Sequence, residues 1–423
     1  MVTAPTPLPC IYRGHSDPGF FASALNLPGD PTLISLAPGN EIPPSGPYAC
    51  LVPTLAFHSL LRDPSSPDRW HYSDLESEII RDLRNKRAVL ILDLCNEGPS
   101  FHPPLMQDLY AWLGVQQIPL SRCVWLSQNR AIERAARAEF AAGADHVSFL
   151  SYDYFIKMTA WKFAQSGDEH PLGEAKWDVW RRLFDGREKD RLLLCLNATP
   201  RHHRILALAG LDYHGVLEDS LYSFPGCHYV KPSDDPKALL QYLANTPALR
   251  HLLDACTRRV ESPPIRIDDF SETGNELVFK MDPTHYLRTY FSLVTETEFS
   301  EGNVERVTEK TAKALAVGHP TIVMGNAKSL HFMSELGFQE WSAVLDPAYD
   351  SIGGSIPRFS ALMNLITKTR DDIQANPEKW LSTAREIGQF NYSFANGGRF
   401  LMRCRKRLDE PVVQAIWALL HTA

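Results

Sequence analysis

Short apolar runs that end in polar loops constrain the fold of this chain most strongly. One run, Ala88–Leu94, reads AVLILDL, and strands that are covered on both faces of a parallel sheet have such a composition. A polar loop, Cys95–Ser100, follows it, and the spacing then predicts a helix over Pro104–Leu113. Strand, loop and helix in this order indicate an α/β fold.

The same order recurs along the chain, on both sides of an aromatic and charged crossing segment at about residues 155–190. Further strands are predicted over Thr32–Leu36, Ala49–Leu55, Arg122–Ser127, His146–Leu150, Arg191–Leu196, Tyr290–Thr295 and His319–Met324. Further helices are predicted over Ser73–Asn85, Arg130–Ala142, Val307–Val317 and Ala327–Leu336, with another that opens near Arg204. Two Rossmann-like domains and a helical tail fit a chain of 423 residues, and we place them at residues 1–188, 189–375 and 376–423.

Charge and hydropathy restrict the partners of the chain. The formal net charge is −7. We therefore do not expect nucleic acid to be the main partner, because domains that bind nucleic acid carry a basic excess. A basic run, Arg403–Arg407, is expected to be a solvated helix face. No stretch is apolar over the roughly 18 residues that a membrane span needs. Met1–Cys10 lacks the apolar segment of a signal peptide, so a cytoplasmic protein is expected.

The cysteines point to the same compartment. There are eight, and no pair of them has C-x-x-C spacing. Cys95 and Cys195 lie in or beside apolar runs, which predicts reduced, buried thiols rather than disulfides or a zinc site.

The segment 290–338 contains the residues with the clearest chemistry. A predicted strand ends at Glu296, and a predicted helix begins at Thr308, a good N-cap, followed by Glu309 and Lys310. The N-terminus of a helix attracts phosphate, and a lysine adds a full positive charge. A glutamate beside it can accept hydrogen bonds from a ribose diol. The alternative is that Glu309 only stabilises the helix dipole.

Three runs in this segment resemble the donor-binding core of the α-1,3-fucosyltransferase family: Phe291–Thr297, Val307–Lys310 and Gly318–Gly325. The resemblance implies that Glu309 binds the donor ribose, that Lys310 binds the diphosphate and that Glu296 lies beside the donor sugar. It also implies a phosphate-binding arginine at the first helix of the donor domain. Arg204 is our candidate for this arginine, and Arg201 is the alternative.

The resemblance further implies the GT-B arrangement, in which the two Rossmann-like domains face each other, and an inverting single displacement. Asn326 follows the strand His319–Met324 and is expected at the same edge as Glu296, so we include it among the donor-binding residues. The sugar is left open, because Thr297 replaces the usual asparagine and His319 is not the usual residue before Pro320. GDP-fucose is one candidate donor.

Sugar transfer to a hydroxyl needs a base, and the first half of the chain should supply it. Glu97 is our candidate because it lies in the loop after the strand Ala88–Leu94, although a solvated loop acid is the alternative. His102 and Asp153 are rival bases. Asp93 is expected only to orient the loop.

No metal or cofactor is expected besides the donor itself. The chain has no Asp-x-Asp motif, so Arg204, Lys310 and helix dipoles would meet the diphosphate charge. His202 and His203 have no partner at ligand spacing. Tyr222 and His214 could contact the nucleotide, although core or surface roles fit their positions better.

These observations predict a glycosyltransferase that moves a sugar from a nucleotide donor to a carbohydrate or another hydroxyl acceptor. Two alternatives stay open at this point. The first is a DNA-modifying glycosyltransferase of the phage type, which a basic groove would favour. The second is a non-catalytic nucleotide-sugar-binding protein.

Overall fold

The computed structural model describes residues 7–13, 19–28, 30, 33–53, 75–96, 98, 103–139, 146–227, 234–267, 278–302 and 304–421. The chain forms two compact units. The first unit contains Met1–Met158, Asn303–Arg306 and Met402–Ala423, and the second contains Thr159–Gly302 and Val307–Leu401.

A parallel sheet of six strands forms the centre of the first unit. Its strands are β1 (Leu8–Tyr12), β2 (Ile34–Leu36), β3 (Tyr48–Pro53), β4 (Ala88–Leu94), β5 (Cys123–Ser127) and β6 (Ser148–Ser151). They lie in the order β2-β1-β3-β4-β5-β6.

A second parallel sheet, of four strands, forms the centre of the second unit. Its strands are β7 (Arg191–Cys195), β8 (Leu221–Tyr222), β9 (Thr289–Thr295) and β10 (Thr321–Met324), in the order β10-β9-β7-β8. The register pairs Met324 with Thr295 and Leu194 with Ser292. The prediction of an α/β fold with parallel sheets is therefore confirmed.

The α-helices of the described residues lie between these strands and after the last of them. They are α1 (Gly19–Leu25), α2 (Ser77–Arg84), α3 (Pro103–Val115), α4 (Ile132–Glu139), α5 (Tyr154–Ala164), α6 (Lys176–Arg182), α7 (His202–Tyr213), α8 (Pro236–Asn245), α9 (Leu253–Glu261), α10 (Pro283–Arg288), α11 (Glu309–Ala316), α12 (Ser329–Glu335), α13 (Ser355–Ala375), α14 (Pro377–Asn396), α15 (Arg399–Cys404) and α16 (Glu410–His421). A π-helical turn, Arg405–Asp409, joins the last two.

Strand β4 shows why an uninterrupted apolar run is a reliable signal. It has the predicted bounds, all of its residues are buried, and it lies between β3 and β5. Ile79 and Leu83 of α2 pack in the same core as Leu90 and Leu92 of β4. Burial of one such aliphatic side chain contributes about 1.5–3 kcal/mol.

Strand β1 was not predicted from the sequence. Pro9 lies within it, and proline lacks the N–H that a central strand normally donates. The strand nevertheless lies between β2 and β3, with Leu8 opposite Ile34 and Cys10 opposite Ala49.

The compact units differ from the predicted domain boundaries at residues 188 and 375. The segment from Thr159 to β7 belongs to the second unit, and so does α14. The segment Met402–Ala423 belongs to the first unit instead. Composition did not mark these boundaries, because no Pro- or Gly-rich linker separates the units.

A buried ionic cluster attaches the C-terminal segment to the first unit. The Lys157 ammonium donates to Asp30 Oδ2 at 2.6 Å and to Asp409 Oδ2 at 2.5 Å. The Tyr152 hydroxyl donates to Asp409 Oδ1 at 2.9 Å. Burial of charges is costly unless they are paired, and these are paired.

Two further predictions can be compared with the structure. All eight cysteines are free, and all except Cys227 are buried, as predicted. Among the described helices, none combines the length and the apolarity that a membrane crossing requires.

Candidate functional site

The order of the four-stranded sheet defines one edge as the candidate site. Its strands are parallel, so all of their carboxyl ends lie at the same edge. The chain moves from β7 to β8 on one side and later to β9 on the other side. Ligands of open α/β sheets bind at such a switch point, outside the carboxyl ends of the strands. The candidate site therefore lies between the loops that follow β7 and β9.

Side chains from the start of α7 hold these two loops together. His203 Nε2 lies 2.8 Å from Glu296 O, and Arg204 Nη2 lies 3.2 Å from the same oxygen. Arg201 Nη1 donates to Thr297 O at 3.0 Å. Both arginines proposed from the sequence are therefore at the switch point, where they provide positive charge.

The Arg204 guanidinium is only partly satisfied by the protein. The residue is 3% exposed, and its Nη1 donates to Thr199 O at 3.3 Å. No acceptor among the described residues meets its Nε atom. Burial, together with the nearby Arg201 charge, lowers the pKa of Arg204 to about 10, so the group remains cationic at neutral pH.

His203 is neutral at this edge. Burial and the neighbouring Arg204 and Arg201 charges lower its pKa to about 3. Because its Nε2 atom meets the Glu296 carbonyl oxygen, which can only accept, that nitrogen carries the proton. His203 therefore contributes a hydrogen bond and no charge.

Glu296 organises the start of α11. Its Oε1 accepts from Thr308 N at 3.0 Å and from Thr311 Oγ1 at 2.6 Å. Its Oε2 accepts from Thr308 Oγ1 at 2.6 Å and from Thr297 N at 3.2 Å. A carboxylate has about four lone-pair sites, so these four donors satisfy Glu296 fully.

The Glu296 carboxylate is ionised despite its burial. Burial alone would raise its pKa, but the Lys310 charge and the hydrogen bonds from Thr308 and Thr311 reverse the effect and lower it. This carboxylate is ionised and all of its acceptor sites are occupied. It therefore fixes the end of the β9–α11 loop that directly precedes α11. The resemblance implied that Glu296 lies beside the donor sugar, and its organising role could not be predicted from the sequence.

Glu309 and Lys310 begin α11, and Thr308 is its N-cap, as predicted. Lys310 Nζ donates to Glu309 Oε1 at 2.8 Å and lies 3.2 Å from Thr308 Oγ1. The Glu309 side chain is 9% exposed and that of Lys310 is 30% exposed. An ammonium has three donors, so Lys310 retains one for a ligand while both contacts persist.

Arg358 also lies at this edge of the sheet, and its role there was not predicted from the sequence. Its guanidinium donates to Ser300 O at 2.8 Å, to Gly325 O at 3.1 Å and to Ile352 O at 2.6 Å. It also lies over the Phe299 ring, 4.6 Å from the ring centroid. It therefore joins the loop after β9 to the loop after β10. Position 358 lies inside a helix remote in sequence from both loops, so no local pattern could have identified it.

The histidine considered for a metal and the two residues considered for the nucleotide have protein partners. His202 Nε2 lies 2.8 Å from Asp235 O, and the Tyr222 hydroxyl accepts from Arg259 Nη1 at 3.1 Å. The His214 ring packs edge-on against Tyr213. In the part of the chain that the structure describes, no three His, Cys, Asp or Glu residues are grouped as metal ligands.

The candidate bases lie in the first unit or outside the described residues. Glu97 and His102 lie outside the described residues. Asp93 Oδ2 accepts from Phe21 N at 2.9 Å and its Oδ1 from Cys95 N at 3.2 Å, so it anchors α1 and the loop, close to the orienting role that was predicted.

Asp153 has the pKa expected of a base. It lies beyond the carboxyl end of β6 and is buried. Burial raises its pKa to about 6, although Arg130 and Gln128 oppose the shift. The Arg130 Nη1 atom is 3.8 Å from its Oδ1.

A cavity of about 680 Å³ lies elsewhere in the second unit, beside Tyr290 at the start of β9. Phe184, Leu381 and Arg385 also line it. It is therefore at the opposite end of β9 from Glu296. Among its lining groups, Arg187 pairs with Asp185.

Comparison of the chain with protein-family models, with curated proteins and with solved structures finds no match.

Proposed function

We propose that this protein is a glycosyltransferase of GT-B organisation that moves a sugar from a nucleoside-diphosphate donor to a hydroxyl acceptor. The observation that carries the proposal is the start of α11. There Glu296 fixes Thr308, and a helix N-terminus with Lys310 stands beside Arg204 at a topological switch point. The resemblance of the surrounding sequence to α-1,3-fucosyltransferases supports the same reading.

The donor would be bound by charge and by hydrogen bonds from named groups. Lys310, Arg204 and the first-turn amides of α11 would neutralise the two phosphates. Glu309 would accept from the ribose hydroxyls, as acidic residues do in dinucleotide-binding folds. Lys310 would bind a phosphate oxygen through the donor that its contacts with Glu309 and Thr308 leave over.

The reaction would be a single displacement with inversion at the anomeric carbon. The acceptor oxygen forms a bond to that carbon while the bond to the β-phosphate oxygen breaks. The leaving diphosphate carries the electron pair and is stabilised by Arg204 and Lys310. Glu97 would take the acceptor proton, with Asp153 as the alternative base.

A thermal-shift panel of GDP-, UDP-, CMP- and dTDP-sugars tests the proposal. A ligand that binds only the folded chain raises the melting temperature. One nucleotide sugar should stabilise the wild-type protein and fail to stabilise Lys310→Ala. Lys368→Ala, which removes an exposed lysine of α13, should respond as the wild type does. No shift with any nucleotide, or the same shift in Lys310→Ala, would contradict the proposal.

A further inference from the structure

Asn326 occupies a defined position at the edge that we assign to the donor. It follows Gly325 at the carboxyl end of β10 and is 2% exposed. Gly325 itself is close to Glu296, since a Cβ atom built on it would lie 3.2 Å from the Glu296 side chain. Asn326 therefore directly follows, in the chain, a residue that packs against the side chain that organises α11.

The orientation of the Asn326 amide is fixed by Ser300. Asn326 Oδ1 accepts from Ser300 N at 2.9 Å and from Ser300 Oγ at 3.0 Å. A main-chain N–H can only donate, so the atom that it meets is the carbonyl oxygen and not the nitrogen. Arg358 in turn holds Ser300 through its carbonyl oxygen.

This arrangement leaves the other end of the amide without a partner. No described residue accepts a hydrogen bond from Asn326 Nδ2, although the atom is buried. A buried donor without a partner is destabilising, and in native proteins nearly all such groups bond to another protein group or to a bound molecule. The missing partner must be a hydrogen-bond acceptor.

We propose that Asn326 is a specificity-determining residue whose Nδ2 donates a hydrogen bond to an oxygen at the sugar–phosphate end of the donor. This inference rests on the proposed function. A sugar hydroxyl and a β-phosphate oxygen have the required chemistry in common. Ser300 and Arg358 are positioning residues that hold the amide in the donating orientation.

The test compares Asn326→Ala and Asn326→Asp with the wild type in titrations with GDP and with GDP-fucose, or with the matching pair if the panel selects another nucleotide. Asn326→Asp keeps an acceptor for Ser300 but presents no donor. Both variants should bind the nucleotide sugar at least about tenfold more weakly, which corresponds to one lost hydrogen bond. Lys368→Ala, at an exposed position of α13, is the control and should stay close to the wild type.

The two ligands distinguish the source of the oxygen. Weakening confined to GDP-fucose identifies a sugar hydroxyl, and equal weakening of GDP identifies a phosphate oxygen. Wild-type affinity of Asn326→Asp for both ligands would overturn the inference, because only the Ser300 contacts would then matter. If the wild-type protein binds neither a nucleoside diphosphate nor its nucleotide sugar, the proposed function itself is wrong. That outcome differs from a failure of the Asn326 assignment, in which the wild type binds and Asn326→Asp binds equally well.

Discussion

Glu296 accepts hydrogen bonds from both the main-chain N–H and the hydroxyl of Thr308, across the loop that joins β9 to α11. One ionised side chain thereby fixes the N-cap of the helix on which the proposed donor site depends. The loop is thus held in place before any ligand arrives, and such preorganisation lowers the cost of binding.

Replacement of Glu296 by glutamine should destabilise the protein. The amide nitrogen cannot accept a hydrogen bond, so the main-chain N–H of either Thr308 or Thr297 loses its partner, whichever carboxylate oxygen the nitrogen replaces. We expect the free energy of unfolding to fall by about 1–3 kcal/mol. Urea denaturation measures this change, and Glu386→Gln, at an exposed position of α14, is the matched control. Equal stability of the two variants would show that Glu296 does not organise the loop.

Replacement of Glu97 by glutamine should remove the base and leave the donor site intact. We expect kcat to fall by about 10²–10⁴-fold with little change in the KM for the donor. Initial rates with the donor selected by the panel measure both quantities. If Asp153→Asn abolishes turnover and Glu97→Gln does not, the base is Asp153 instead. Its pKa of about 6 then predicts that kcat/KM rises with pH up to that value and levels off above it.

His319 should make the stability of the protein depend on pH. Its ring is buried between the Ser292 hydroxyl, 2.8 Å from Nδ1, and the Thr289 carbonyl oxygen, 2.9 Å from Nε2. Burial lowers its pKa from 6.5 to about 3. The unfolded chain therefore binds this proton first as the pH falls. The stabilisation is complete above pH 6.5 and is lost progressively towards pH 3.

The contribution of His319 can be isolated by a double difference. As the pH falls from 7 to 5, protonation of this histidine in the unfolded chain should lower the free energy of unfolding by about 2 kcal/mol. Urea denaturation of wild type and His319→Gln at both pH values measures it, since glutamine does not titrate. The wild type should lose about 2 kcal/mol more than the variant. An equal pH dependence would contradict the assignment.

Gly318 should not tolerate a side chain. It ends α11 with a φ of +77°, and a Cβ atom there would lie 2.3 Å from the carbonyl oxygen of Gly388. Gly318→Ala should reduce stability by about 2 kcal/mol or more, from backbone strain together with overpacking. Gly215→Ala is the control, because Gly215 has a φ of +65° but open space around it. Similar losses in both variants would show that the contact with Gly388 is unimportant.

The local elements of this fold could be predicted because their signals are local. Strand β4 is a continuous apolar run, and Thr308 is a recognisable N-cap, so both were located correctly. Strand β1 was missed because Pro9 argues against a central strand. The two-residue strand β8 is too short to produce a pattern.

The internal organisation of the site depends on contacts between segments distant in sequence. The residue types at Glu296, Glu309 and Lys310 indicated phosphate and ribose chemistry. The Glu296 carboxylate accepts hydrogen bonds from Thr308 and Thr311 because β9 packs against α11. No local sequence pattern indicates these bonds. The role of Arg358 likewise depends on loops that are brought together by the sheet.

A crystal structure of the protein with the nucleoside diphosphate selected by the panel tests the central claim most directly. The account predicts a phosphate oxygen within hydrogen-bond distance of Lys310 Nζ and of the first amides of α11, with the ribose hydroxyls at the Glu309 carboxylate. A nucleotide bound in the cavity beside Tyr290, or one with its phosphates remote from Lys310 and Arg204, would contradict it.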